Sequence, residues 1–225
     1  METDPKAETR GEQTRRLIVE TAIRLFGEVG YEKTTMRAIA SAAGLSVGNA
    51  YYYFPSKDSL VTEFYLQLQR EHMARAEEII AAGGGFSEQL TGVLMAGLDL
   101  WDPYHSFGGR FIGIAAVPGS PTSPFSEESA EARELSLRIF ERLVADTSLK
   151  MDAEVREELP ELLWLAQLGL VVYWVHDRSP GQQRTRTLIE TAVPYLESLV
   201  GLSRMKVFRA MTVRGLALVK LLRPV

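Results

Sequence analysis

The run GYEKTTMRAIASAAGLSVGNAYYYFPSK, residues 30–57, contains two short helical segments joined by a tight turn. Thr34 or Thr35 supplies a side-chain oxygen that can cap a helix over residues 36–43, and Gly44 provides the backbone freedom that ends it. Ile39, Ala40 and Ala43 form a small apolar face, and Ala42, Ala43 and Gly44 allow two helices to cross closely. Ser46 is a second N-cap for a helix over Val47–Tyr53, which Phe54-Pro55 terminates. Ser56 caps the long helix that follows.

Upstream, Leu17, Ile18, Thr21, Ala22, Leu25, Phe26 and Val29 recur at steps of three and four, the stripe of an amphipathic helix over residues 13–29, with Gly30 at its C-terminus. The first 57 residues therefore form a three-helix unit behind a polar tail, residues 1–11, expected to be disordered. Downstream, Leu60, Phe64, Leu68, Ala76, Ile79 and Ile80 mark a helix from Lys57 to the stop at Gly83-Gly84-Gly85. Further helices are predicted over 87–100, 106–116, 127–148 and 152–176, the last carrying Pro160 as a kink or a new start. The proline-rich stretch 117–126 is the main loop. Ser179-Pro180-Gly181-Gln182 has the spacing of a capping box and is predicted to open a helix ending near residue 202. A final helix is expected over 204–222. No segment alternates with period two, so no sheet is expected and the class is all-α.

The order and spacing of LFGEVGYEKTT, IASAAGLSVG and AYYYFPSKDSL resemble the DNA-binding domain of the TetR family of bacterial transcriptional regulators. The resemblance implies a helix-turn-helix domain over residues 12–57 and a larger helical-bundle domain, 58–225, for effector binding and dimerisation. The second helix of such a pair lies in the major groove with its N-terminal residues toward base edges, here Ser46, Val47, Gly48 and Asn49. Gly48 removes a side chain where the protein backbone nears DNA, and Asn49 can read a base edge or hold a phosphate. The resemblance implies a base contact for Arg37 and phosphate contacts for Tyr51 and Tyr53. Thr35 and Lys57 lie at helix N-termini, which attract phosphate. Tyr52 is grouped with this DNA-contacting set, although helical spacing also allows it a core place beside Phe54. Val47 departs from the Lys or Arg common in the family and suits a thymine methyl instead, so no base preference is carried over.

Charge is distributed accordingly. The chain of 225 residues has a net charge of −4, but residues 10–57 carry seven basic side chains against four acidic ones. A basic head on an acidic body favours steering toward phosphate. Cysteine is absent, which excludes disulfides and thiolate metal sites. The charged N-terminal stretch lacks the apolar segment of a secretory signal. The greasy run 162–175 is short for a bilayer and reads as a buried helix, so a cytoplasmic protein without membrane association is expected. His72, His105 and His176 lie far apart, and no catalytic or nucleotide-binding motif occurs. No metal, no cofactor and no enzymatic activity are expected.

The body carries two further expectations. Leu162, Leu163, Leu165, Ala166, Leu168, Leu170, Val171 and Val172 are apolar around more of the helix than one core face needs. The resemblance places homodimer contacts on residues 155–178 and 182–202, which would bring two heads onto an inverted-repeat operator in double-stranded DNA. Trp101, Tyr104, His105, Phe107 and Phe111, with Trp164, Gln167, Tyr173 and Trp174, are the candidate lining of a small-molecule effector pocket, though each also suits plain core. A repressor released by an effector is the reading this supports. A DNA-binding regulator without an effector, and a helical enzyme or carrier bearing an incidental helix-turn-helix, are the alternatives.

Overall fold

The computed structural model describes residues 9–205. Its helices are α1 (Arg10–Glu28), α2 (Met36–Ala42), α3 (Val47–Tyr53), α4 (Lys57–Ala81), α5 (Phe86–Trp101), α6 (His105–Ala115), α7 (Ala130–Asp146), α8 (Ala153–His176) and α9 (Gln183–Leu202). No strand occurs among the described residues. The helix expected over 204–222 falls almost wholly outside them. At the other end, residues 9–11 are not part of a loose tail. The Thr9 hydroxyl accepts from Glu12 N–H at 3.3 Å while the Glu12 carboxylate accepts from Thr9 N–H at 2.7 Å, a capping box that starts α1.

The head closes around Ile18, Ala22, Phe26, Ile39, Ala40, Ala50, Phe54 and Leu60, all essentially inaccessible. Each large member contributes about 1.5–3 kcal/mol through burial. Thr35, rather than Thr34, caps α2 by accepting from Ala38 N–H, whereas the buried Thr34 hydroxyl donates to Gly30 O at 2.8 Å. Gly44, at φ +70°, makes the turn: Leu45 N–H reaches Ala40 O and Gly44 N–H reaches Ser41 O. That pairing satisfies the last carbonyls of α2 and needs a left-handed residue at position 44.

α4 joins head to body. It packs on α1 at its start and on α5 and α7 further along. Arg15 on α1 pairs with Glu63 on α4 at 2.5 Å, with its guanidinium 4.5 Å from the Phe54 ring centroid. Burial opposes ionisation of Glu63, but the Arg15 guanidinium, the Gln67 amide and the Arg70 charge together hold the carboxyl below its ordinary pKa. In the body, α7 packs on α8, α5 on α9, and α6 on α8 and α1. Arg186 on α9 grips Asp99 at 2.8 Å and Asp102 at 2.5 Å, tying α9 to the end of α5.

Three sequence expectations are corrected. Residues 127–129 belong to the loop, because α7 begins only at Ala130. Pro160 lies inside α8 and starts no new helix. The Ser179–Gln182 capping box does not form: Pro180–Gln182 is a 3-10 turn with Gly181 and Gln182 at positive φ, and α9 starts at Gln183. Asp177 and Ser179 share the capping of α9, with Ser179 Oγ accepting from Arg184 N–H at 3.1 Å and the Asp177 carboxylate taking the rest. That carboxylate accepts from Ser179 N–H (2.9 Å), Ser179 O–H (2.6 Å), Thr185 N–H (2.8 Å) and Thr185 O–H (2.8 Å). Burial opposes its ionisation, but these four donors hold its pKa far below the usual carboxylate range.

Candidate nucleic-acid interface and ligand cavity

α3 stands on the head with Val47, Gly48, Asn49, Tyr51 and Tyr52 exposed and Ala50 buried beneath. Ser46 caps it, accepting from Asn49 N–H at 3.1 Å, so this hydroxyl is engaged in holding the helix terminus. Thr35 and Arg37 are exposed at the start of α2. Tyr52 is 83% exposed, which overturns a core place for it; Phe54 alone turns inward. The reason is the break at Pro55, because Phe54 is extended rather than helical and helical spacing does not carry through it. Tyr53 is half-buried, its ring edge-on to Tyr52. Lys57 donates to Tyr31 O at 2.6 Å with its ammonium 4.3 Å from the Tyr31 ring centroid. It thus braces the loop after α1, with donors left over for a phosphate. Tyr31 in turn donates to Asp58, and burial followed by that carboxylate pushes its pKa up.

A cavity of about 660 Å3 opens in the body between α4, α6, α7, α8 and the loop 116–129. Of the sequence candidates, Trp101, Phe111, Trp164, Gln167 and Trp174 line it. Tyr104, His105 and Tyr173 do not. Tyr104 packs edge-on to Phe64, with ring centroids 4.8 Å apart, and faces the cleft between α1 and α4. His105 donates from Nε2 to Trp174 O at 2.9 Å and stacks edge-on against the Trp174 ring, so it positions a wall residue from behind. Tyr173 is exposed on α8 beside α9. The Phe107 side chain lies outside the described set.

The polar part of the lining was missed by sequence reading. Ser136 on α7 donates to Gln69 Oε1 on α4 at 2.6 Å, and the Tyr65 hydroxyl lies within hydrogen-bond reach of Ser136. Burial pushes the Tyr65 pKa up, so it stays neutral. Tyr65 and Gln69 are four apart, on one helix face, which was the available signal. The loop adds Val117, Pro118, Pro124 and Phe125, the last edge-on to Trp164. Arg133 holds that loop by donating to Pro124 O and Ser126 O. No cluster of potential metal ligands occurs among the described residues.

A second apolar surface lies along α8 and α9. Leu170, Tyr173, Leu188, Ala192, Tyr195 and Leu199 flank a groove there. Tyr173, Leu188, Tyr195 and Leu199 are all substantially exposed. By length and composition α8 could also cross a membrane.

Comparison with known proteins bears on both halves. Residues 18–64 match the family model for bacterial regulatory proteins of the tetR family, and residues 89–214 match that for the tetracyclin repressor-like C-terminal domain. The HTH-type transcriptional repressor KstR2 of Rhodococcus jostii is 30% identical over 172 residues, covering 74% of this chain and 84% of the relative. Its counterpart in Mycolicibacterium smegmatis is 27% identical, covering 67% and 75%. Among solved structures, a TetR-family regulator from Syntrophomonas wolfei superposes with a TM-score of 0.68 at 13% identity, covering 84% of this chain and 97% of that one. FadR of Bacillus subtilis, solved in complex with stearoyl-CoA, superposes with a TM-score of 0.60 at 17% identity, covering 78% and 97%. This chain belongs to the TetR family of DNA-binding transcriptional regulators.

Proposed function

We propose that the protein is a cytoplasmic homodimeric repressor whose hold on an inverted-repeat operator is released when a small molecule enters the body cavity. The observation that carries this reading is the pairing of an exposed α3 with a separate aromatic cavity, bridged by α6, which packs on both α1 and α8. Residues 12–57 act as the reading head and 58–225 as the sensing and dimerising body. α3 enters the major groove, where Val47 and Asn49 meet base edges, joined by Arg37 from α2. Tyr51, Tyr53, Thr35 and Lys57 hold phosphates, and Ser46 acts through the cap that presents Asn49. Tyr52 is available to the backbone of the same groove.

A single head covers one half-site, so a second copy is needed. The exposed apolar face of α8 and α9 is the surface proposed to receive it, and this dimer role accounts for the apolar character of α8 without a bilayer. The solved FadR–stearoyl-CoA complex supports a small-molecule effector in a body of this fold. A regulator of this kind carries out no catalysis, and no enzymatic activity is proposed. Release follows if the effector prefers a body conformation in which the two heads no longer match successive grooves.

Selection of the purified protein on a pool of random duplexes, sequenced at two salt concentrations, tests the reading. Enrichment of an inverted repeat is expected. Weak, sequence-independent binding that disappears with salt would refute it.

A further inference from the structure

We infer that the ligand of the body cavity is an uncharged, largely apolar molecule carrying carbonyl-type oxygen acceptors. The inference rests on the proposed effector role of this cavity and specifies what it takes. No Asp, Glu, Lys, Arg or His lines the cavity among the described residues. An ionised group inside would lose its hydration without a counter-charge, a penalty far larger than that of any neutral polar group. Arg133, whose charge reaches Tyr65, lies outside the lining and is engaged with the Pro124 and Ser126 carbonyls.

The polar groups that remain are two donor-only indoles beside the amides of Gln69 and Gln167 and the hydroxyls of Tyr65, Ser123 and Ser136. Trp164 and Trp174 form part of the wall, and the indole N–H of each is buried with no hydrogen-bond partner. Indole is a donor only, and each N–H lies just beneath the wall surface, so an acceptor meets it once the side chains around it yield to a ligand. The Gln69 oxygen accepts from the Ser136 hydroxyl, and its NH2 group is a further donor beside the cavity. Buried donors without partners are rare in folded proteins, and two adjoining one cavity favour a ligand that brings an acceptor. The rest of the wall, with Trp101, Phe111 and Phe125, matches an apolar or aromatic skeleton of drug-like size. The highly charged head of a coenzyme A thioester does not suit this lumen.

Four probes with one ten-carbon skeleton separate these properties: butyrophenone, n-butylbenzene, 4-phenylbutanoate and 4-phenylbutylammonium. Calorimetric titration of the full chain is expected to show the ketone binding at least about tenfold more tightly than either ion. It should also exceed the hydrocarbon several-fold, an advantage that Trp164→Phe or Trp174→Phe reduces, because Phe keeps a ring and loses the donor. An ion, or octanoyl-CoA, binding as well as the ketone would overturn the inference, as would a ketone preference that survives both substitutions, or no binding by any probe. Adding each probe to the operator complex separates this from the effector reading. A ketone that binds without weakening operator affinity refutes the effector role but leaves the ligand class standing. An anion that binds and releases the operator refutes the ligand class alone.

Discussion

Gly48 occupies the first turn of α3, where the fold itself makes no demand for glycine. Its φ is not positive, it is exposed, and a Cβ built there meets nothing within 4 Å. Alanine at that position should therefore stabilise the free protein, by about 0.5–1 kcal/mol at most, since glycine carries that conformational penalty in a helix. Operator binding should move the opposite way. If the α3 backbone approaches DNA at Gly48, a methyl group there forces the helix outward and disturbs Asn49 and the tyrosines with it. The loss expected is about 1–3 kcal/mol, or roughly fivefold to more than a hundredfold in Kd. Urea denaturation at fixed protein concentration reads the first effect, and fluorescence anisotropy on the selected operator at constant salt reads the second. Gly48→Ala that stabilises the protein and leaves operator Kd unchanged would refute the placement of α3 against DNA.

Asp177→Ala removes the acceptor of four hydrogen bonds and leaves the fully buried Thr185 unsatisfied, so a loss of about 2–3 kcal/mol is expected in urea melts. Because the folded pKa of Asp177 is depressed, its contribution is fully present above about pH 4 and disappears as pH falls through the folded value; Asp177→Ala should lack that acid-dependent part. His72, buried and donating to Val93 O, has a pKa lowered first by burial, so the unfolded chain binds a proton that the folded one refuses. Stability should thus decline as pH drops below about 6.5, and His72→Gln should flatten that slope in melts across the window. Gly97→Val should destabilise by about 1–3 kcal/mol, since even a Cβ at position 97 lies 3.1 Å from the His72 ring and 3.2 Å from the Gln167 amide. Tyr195→Glu with Leu199→Glu should convert a dimer to monomer in sedimentation runs without unfolding the chain, because both side chains are exposed in the protomer.

Local signals carried the head almost completely. The caps at Ser46 and Ser56 and the turn at Gly44 act over a few residues and form as their spacing implies, whereas the apolar stripe of α1 is narrower than its pattern, with Leu17 and Val29 exposed at its ends. Failure began where a competing local partner existed. Ser179 had the spacing for a capping box, but the Asp177 carboxylate two residues earlier is the stronger acceptor and takes the Thr185 amide, while the Ser179 hydroxyl donates to Asp177 and accepts from Arg184 N–H. The cavity was legible only as a population of aromatic residues. Ser136 and Gln69 meet across 67 positions of sequence, and no period in either helix announces that contact. His105 and Tyr104 adjoin wall residues in sequence yet face away from the cavity, because the 3-10 turn Asp102–Tyr104 rotates the chain between α5 and α6.

That turn is also what gives α6 its position between the two functions. One side of α6 presents Gly108, Phe111 and Ile112 to the cavity, and Gly108 allows the helix to approach Trp174, where a Cβ would lie 3.2 Å from the ring. The Arg110 guanidinium lies 3.5 Å from the Cβ position of Gly30, at the junction where α1 ends. A ligand filling the lumen bears on Phe111 and Trp174 together, and α6 cannot shift without moving Arg110 against that junction. The glycine is left-handed at φ +99°, which turns the chain out of α1 toward α2 at the point that α6 touches. α6 thus touches both the cavity and the end of α1, and we propose that a displacement of this helix is what couples effector binding to the head.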